Sequence, residues 1–279
     1  MRPEFLLGVY PGEHLESLLV VSGQVIKALR GKATAVYVAP EVPKRYFSLL
    51  NIPAGPRGET ISSMFGVEWV AEKVFEKVRE VLDEYGVEVE TRYITGDPAR
   101  EIVQEIERGG YDFAAVSTSG ITGIQRSILG SVSGKVAEYS RTPVLVVKKN
   151  TRLCRLLACT DGSKLAACAV KLGAYLAGNL NAELTVLSVA RSEELVEIAE
   201  KNVEEGAEIA REQGASVRTL VKVGKVRETI LEVSRNQDML LLGSRGLSKL
   251  QRLLMGHVSL AMVAHADTNV FVVKSCPAF

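Results

Sequence analysis

The sequence is poor in the residues on which most enzyme chemistry depends. Its 279 residues include three histidines, one tryptophan and four cysteines. His14, His257 and His265 form no metal-spaced His/Glu cluster, and neither a nucleophile elbow nor a Walker lysine after a glycine loop is present. Cys154, Cys159, Cys168 and Cys276 form no CxxC pair and lie mostly in apolar stretches. They are expected to be reduced core residues rather than disulfide partners or zinc ligands. An excess of one charge is missing too: 34 Lys and Arg face 33 Asp and Glu. No field then favours nucleic acid or an anionic membrane. No apolar run approaches the roughly twenty residues of a membrane span, and the N-terminus lacks the pattern of a secretion signal. A cytoplasmic protein without nucleic-acid or membrane partners is expected.

What the chain does contain is a second copy of itself. "TPVLVVKK" (142–149) matches "TNVFVVKS" (268–275), and Gly120 and Gly130 match Gly246 and Gly256, all at an offset of 126 residues. "ITGIQRSIL" in the first copy parallels "LSKLQRLLM" in the second. Upstream, "FLLGVYPGEH" (5–14) pairs with "LLACTDGSKL" (156–165) at a larger offset, so copy one carries an insertion. Prolines and glycines place it in an irregular loop at 39–61. The junction near 149–152 predicts domains at 1–149 and 152–279, each long enough to bury its own core.

Each copy alternates short β-branched runs with amphipathic stretches of helical length, the pattern of a parallel sheet flanked by helices. Strands are predicted at 5–9, 33–38, 89–95, 113–116 and 144–148, and again at 156–160, 184–189, 217–223, 239–242 and 270–274. The stretch 192–214 predicts a helix with Leu195, Ile198, Ala199, Val203 and Ile209 as its apolar stripe and Gly214 as its stop. Val67, Val70, Ala71, Val74 and Val78 predict another within 62–82, packed on the sheet and carrying Trp69. Right-handed crossovers then give an α/β fold of two tandem, open, doubly wound sheets of five parallel strands.

Ligands bind such sheets beyond the carboxyl ends of the strands. "LGSRGLSKLQRLLMGHVSL" (242–260) lies at that edge. Gly243 turns the chain after a strand, Gly246 bends the loop, and Gly256 opens a helix whose free N–H groups suit phosphate. Ser259 adds a hydroxyl in the first helical turn.

These residues, with "CTDGS" (159–163), "GITGIQRSILGSVS" (120–133) and "TGDPAREIV" (95–103), resemble the universal stress protein family in its tandem form. The resemblance covers nearly the whole chain apart from the insertion. It implies a Rossmann-like, adenine nucleotide alpha hydrolase-like fold whose two sheets pair through the last strand of each, a pseudo-dimer able to associate further as a homodimer. It also implies binding of ATP, ADP or AMP, with Mg²⁺ accompanying ATP, through Gly-x2-Gly-x9-Gly-Ser/Thr and an aspartate after the first strand. In copy two the implied contacts are Thr160, Asp161, Gly162, Val189, Gly243, Arg245, Gly246, Gly256, His257, Val258 and Ser259. His257 stands where the motif has serine or threonine. It either donates to phosphate when protonated or is a helix-start residue without a contact. Copy one keeps Gly120, Gly130, Ser131 and Ser133, with Val38 at the base position, as a candidate second site, for a nucleotide or only for a smaller anion or a lone phosphate. Ser117 replaces its first glycine and Tyr10 its aspartate. Tyr10 is expected to fill the pocket mouth or pack on the insertion, with stacking on a base as the other reading.

The expected function is a nucleotide-binding sensor or regulator of stress, with copy two as the principal site. Two alternatives stay open. One is an interaction module that binds no nucleotide and works through its surface or through Tyr46, Phe47, Leu49 and Leu50 of the insertion, toward an unidentified protein partner. The other is an enzyme, a slow ATPase or an adenylyl-transfer protein, although "TDGS" and "YPGE" replace the histidine signature expected of the latter.

Overall fold

The computed structural model describes residues 2–39, 67–118, 131–246 and 255–276. Copy one runs β1 (Glu4–Val9), α1 (Leu15–Ala28), β2 (Lys32–Ala39), α2 (Val67–Glu84), β3 (Val89–Thr95), α3 (Pro98–Gly109), β4 (Phe113–Ser117), α4 (Ser131–Tyr139) and β5 (Val144–Val147). Copy two runs β6 (Arg155–Cys159), α5 (Lys164–Leu180), β7 (Glu183–Ala190), α6 (Val196–Glu212), β8 (Val217–Val223), α7 (Val226–Ser234), β9 (Met239–Gly243), α8 (His257–His265) and β10 (Asn269–Val273). All ten expected strands are present: the central parallel strands are apolar on both faces and announce themselves as continuous runs, while the outermost, β3 and β8, mix β-branched residues with charged ones. The insertion lies almost wholly outside the described residues.

The strands join into one sheet in the order β3-β2-β1-β4-β5-β10-β9-β6-β7-β8. Within each copy every pairing is parallel, whereas β5 and β10 meet antiparallel with Leu145 opposite Phe271. The pairing of the two sheets through their last strands is therefore borne out. Leu7, Phe5, Leu172 and Leu241 belong to the core on one face of the sheet, and Leu6, Ile102, Leu157 and Met262 to the core on the other. No helix among the described residues is long and apolar enough to cross a membrane.

Polar groups finish the seam. Asn269 is fully buried where copy one has Pro143; its Oδ1 accepts from the Lys148 and Lys149 amides, and its Nδ2 donates to the Asp238 carbonyl. Lys148 donates from Nζ to the Met262 and Ala266 carbonyls at the end of α8. Lys274, its counterpart, donates to the Glu138 and Ser140 carbonyls at the end of α4. Each copy thus satisfies the last carbonyls of the other copy's final helix. Burial pushes both ammonium groups down to about 8, against the opposing pull of Asp267 on Lys148 and Glu138 on Lys274.

This has a pH consequence. Above pH 8 the folded chain sheds protons that the unfolded lysines, at 10.5, still hold, so stability rises with pH. From pH 9 the unfolded Cys159 thiol begins to ionise and opposes the trend. Between those limits denaturant unfolding is expected to show a gain of about 1 kcal/mol per lysine. The gain disappears in the Lys148→Met/Lys274→Met double variant; an equal gain there would dissociate it from these lysines.

The cysteines depart from expectation. Cys168 on α5 and Cys276 in the tail after β10 form a disulfide with a Cα–Cα distance of 5.0 Å, and Cys154 is exposed rather than buried. Their separation of 108 residues hid the pairing. The physical cause is the sheet order: α5 packs across β9 and β10, so the tail leaving β10 returns over the helix.

Candidate functional site

At the carboxyl edge of copy two, adjacent β6 and β9 send their following segments to opposite sides of the sheet and leave a cavity of about 430 Å³ between them. One wall is the turn after β6. The Thr160 amide donates to the Leu187 carbonyl at 2.8 Å, the last link between β6 and β7. Gly162 donates from its amide to Thr160 Oγ1 at 3.2 Å and turns the chain at φ +76°, where a Cβ would strike Asn202 Oδ1. Asp161 Oδ1 accepts from the Ser163 amide, and Ser163 in turn caps α5. Asp161 is thereby aimed into the cavity it lines.

The opposite wall is the glycine loop, and its glycines have different tasks. A Cβ on Gly243 would stand 2.8 Å from the Leu165 carbonyl carbon and 2.9 Å from the Ala166 nitrogen, so this glycine lets β9 pass the start of α5. A Cβ on Gly246 would run into Asp161 Oδ2. Gly256 donates from its amide to the Ser244 carbonyl at 2.6 Å and forms the N-cap of α8 without a side-chain acceptor. The amides of His257, Val258 and Ser259, in the first turn, are left for water or a ligand. Ser259 has another partner than expected. It is buried, and its Oγ donates to the Gly243 carbonyl at 2.9 Å and the Ser244 carbonyl at 3.2 Å, stapling the start of the loop to the helix that follows its end. Ser259→Ala is expected to lower stability by about 1 kcal/mol, read by thermal unfolding, since the Gly243 carbonyl loses its hydroxyl donor while the Ser244 carbonyl keeps the Gly256 amide. An unchanged midpoint would remove the staple.

Of the residues expected in copy two, Thr160, Asp161, Val189, Gly243, Arg245, Gly246, Gly256, His257, Val258 and Ser259 all line this cavity, while Gly162 only shapes the turn. Arg245 is half-buried and His257 exposed. Val189 presents backbone. Leu187 spends its carbonyl toward β6, and the two-residue alternation of a strand turns the N–H and C=O of Val189 to the same side, where β6 has ended. Cys159, in the wall, is held as a thiol, pushed up to about 12 by burial and secondarily by Asp161. It is no nucleophile near neutral pH.

Arg191, Leu195, Ile198 and Asn202 complete the wall and were not among the sequence expectations. Leu195 and Ile198 were read as core, yet they are 39% and 57% exposed, while Ala199 and Val203 of the same stripe are buried. The stripe begins at the sheet's carboxyl edge, so its first turn overhangs the cavity. That location was the available signal.

Copy one is built differently at the equivalent place. Tyr10 stacks on Tyr37 (6.2 Å between centroids, 7° between planes), Tyr37 stacks on Tyr93 (6.0 Å, 18°), and Phe75 from α2 meets Tyr37 edge-on. Tyr10 thus packs toward the face covered by α1 and α2. Val38 and Ser133 are buried; Gly120, Gly130 and the Ser131 side chain lie outside the described residues.

The sequence model of the universal stress protein family matches residues 15–148 and again 154–274. The chain belongs to this family, in tandem form. It is 34% identical over 125 residues to universal stress protein MJ0531 of Methanocaldococcus jannaschii, covering 45% of this chain and 69% of that one. Over 104 residues it is 36% identical to YxiE of Bacillus subtilis, covering 32% of this chain and 70% of the relative. Its fold follows that of a universal stress protein from Archaeoglobus fulgidus across 97% of this chain and 98% of the other, with a TM-score of 0.73 and 23% identity.

Proposed function

We propose that copy two binds an adenine nucleotide and that the protein uses it as a regulator in a stress response. The observation that carries this reading is the convergence, on one cavity, of an aspartate, an uncapped helix N-terminus behind a glycine loop, and an apolar overhang beside unpaired strand backbone. Adenine fits the last two together. Its N6–H₂ donates to the Val189 carbonyl and its N1 accepts from the Val189 amide, while Leu195 and Ile198 cover a ring face that would otherwise leave them wet. Asp161 accepts from the ribose hydroxyls, and the α8 amides with Arg245 hold phosphate. Magnesium bound with a triphosphate would neutralise part of its charge.

The test is direct. Nucleotide released from the denatured, purified protein is identified by mass spectrometry, and the same protein is titrated with ATP and AMP. Near-stoichiometric adenine nucleotide, absent from Asp161→Ala and Gly256→Val, supports the reading. An empty protein that binds neither ATP nor AMP refutes it.

A further inference from the structure

A second cavity, of about 470 Å³, shares Arg191, Val226, His257 and Val258 with the first and continues it toward the start of α7. Its remaining wall is Gly224, Lys225, Arg227 and Glu228. Three of the charged groups around it are cations, and Glu228, the one acid, reaches back to Lys225 at 3.3 Å. Val226 and Val258 are the only apolar side chains in this lining, too few to bury a base. Its chemistry is that of an anion site.

Comparison of the two copies shows that Lys225 and Arg227 are particular to copy two, while Glu228 stands there in place of Arg100. Gly96 and Gly224 occupy the same turn, with φ of +150° and +154°, so Asp97 corresponds to Lys225 and Ala99 to Arg227. In copy one Asp97 caps α3, its Oδ1 accepting from the Arg100 amide at 2.9 Å. In copy two Lys225 caps nothing. The acceptor is gone, and two cations stand at the positive end of a helix dipole, the end at which cations are unfavourable. Local rules broken at the rim of a binding cavity are relieved when the missing anion arrives.

We propose that this second cavity takes the terminal phosphates of the bound nucleotide, so that the ligand is a polyphosphate rather than a monophosphate. The inference rests on the nucleotide reading of the first cavity. The glycine loop and α8 hold the phosphate nearest the ribose; the chain then passes His257 and Arg191 to reach Lys225, Arg227 and the α7 amides. Both cations are exposed, so Lys225→Ala/Arg227→Ala removes them without disturbing the core.

Calorimetric titrations of the full chain and this double variant with AMP, ATP and inorganic tripolyphosphate decide the matter, with thermal unfolding as the folding control. The intact protein is expected to bind ATP at least about tenfold more tightly than AMP, the scale of one added charge-assisted contact. The variant keeps its affinity for AMP, loses that preference, and loses tripolyphosphate. If AMP binds and the preference for ATP is the same in both proteins, this inference fails while the nucleotide reading stands. If neither nucleotide binds but tripolyphosphate does so only to the intact protein, the anion site stands and the nucleotide reading fails. No binding of any of the three overturns both.

Discussion

Reducing the Cys168–Cys276 disulfide is expected to lower the thermal midpoint by about 5–15 °C. The bond closes a loop of 108 residues, which includes most of copy two. Cross-links around loops of that size remove much of the unfolded chain's freedom, and their loss costs roughly 2–5 kcal/mol, with each kcal/mol moving the midpoint of a large domain by about 2–4 °C. Cys276 is exposed, so a small thiol reductant reaches it without unfolding the protein. Midpoints with and without dithiothreitol measure the effect. Cys276→Ser should start at the lower midpoint and ignore the reductant. Alkylation of the unreduced, denatured protein should label Cys154 and Cys159 alone. Four labelled cysteines, or a midpoint indifferent to reductant, would contradict the cross-link.

The second large effect separates two glycines that look alike in sequence. Gly243→Val forces a side chain into the Leu165–Ala166 backbone, which has no rotamer by which to yield. A loss of about 3 kcal/mol or more is expected, at the upper end of overpacking costs. Gly246→Val meets only the end of the Asp161 side chain, which swings away. That variant should fold with a midpoint near that of the parent, yet bind adenine nucleotide about 100-fold more weakly, as expected when a charge-assisted contact is lost and its neighbour displaced. Calorimetry on the two proteins distinguishes them. A Gly246→Val protein with undiminished affinity would remove Asp161 from the site.

Much of this architecture was legible in the amino-acid order, for identifiable reasons. Strands such as "VLVVK" and "VFVVK" are apolar on both faces because helices cover both sides of the sheet, and the internal repeat meant that every element was read twice. The glycine loop was recognisable by its place between strand and helix. What escaped were contacts between distant segments. The disulfide joins residues whose proximity depends on the sheet order. Leu195 and Ile198 have the spacing of core residues, and periodicity records which face of a helix is apolar, not whether the sheet extends far enough to cover it. The tyrosine stack of copy one joins Tyr37 and Tyr93, register partners on β2 and β3, to Tyr10 just past the end of β1, a coincidence that appears only once the strands are paired. Ser259 looked like a ligand contact because a hydroxyl in a first helical turn serves equally well to hold a loop.

The seam between β5 and β10 joins two parts of one chain, so its formation does not depend on protein concentration. Dilution cannot part the copies, and neither can exchange its companion for one of its own kind. The copy with Tyr10 and the copy with Asp161 are therefore fixed in a ratio of one to one. Under the proposed function, a half whose sequence has drifted from the nucleotide motif remains permanently attached to a half that keeps it, and is free to change without disturbing the ligand's stoichiometry.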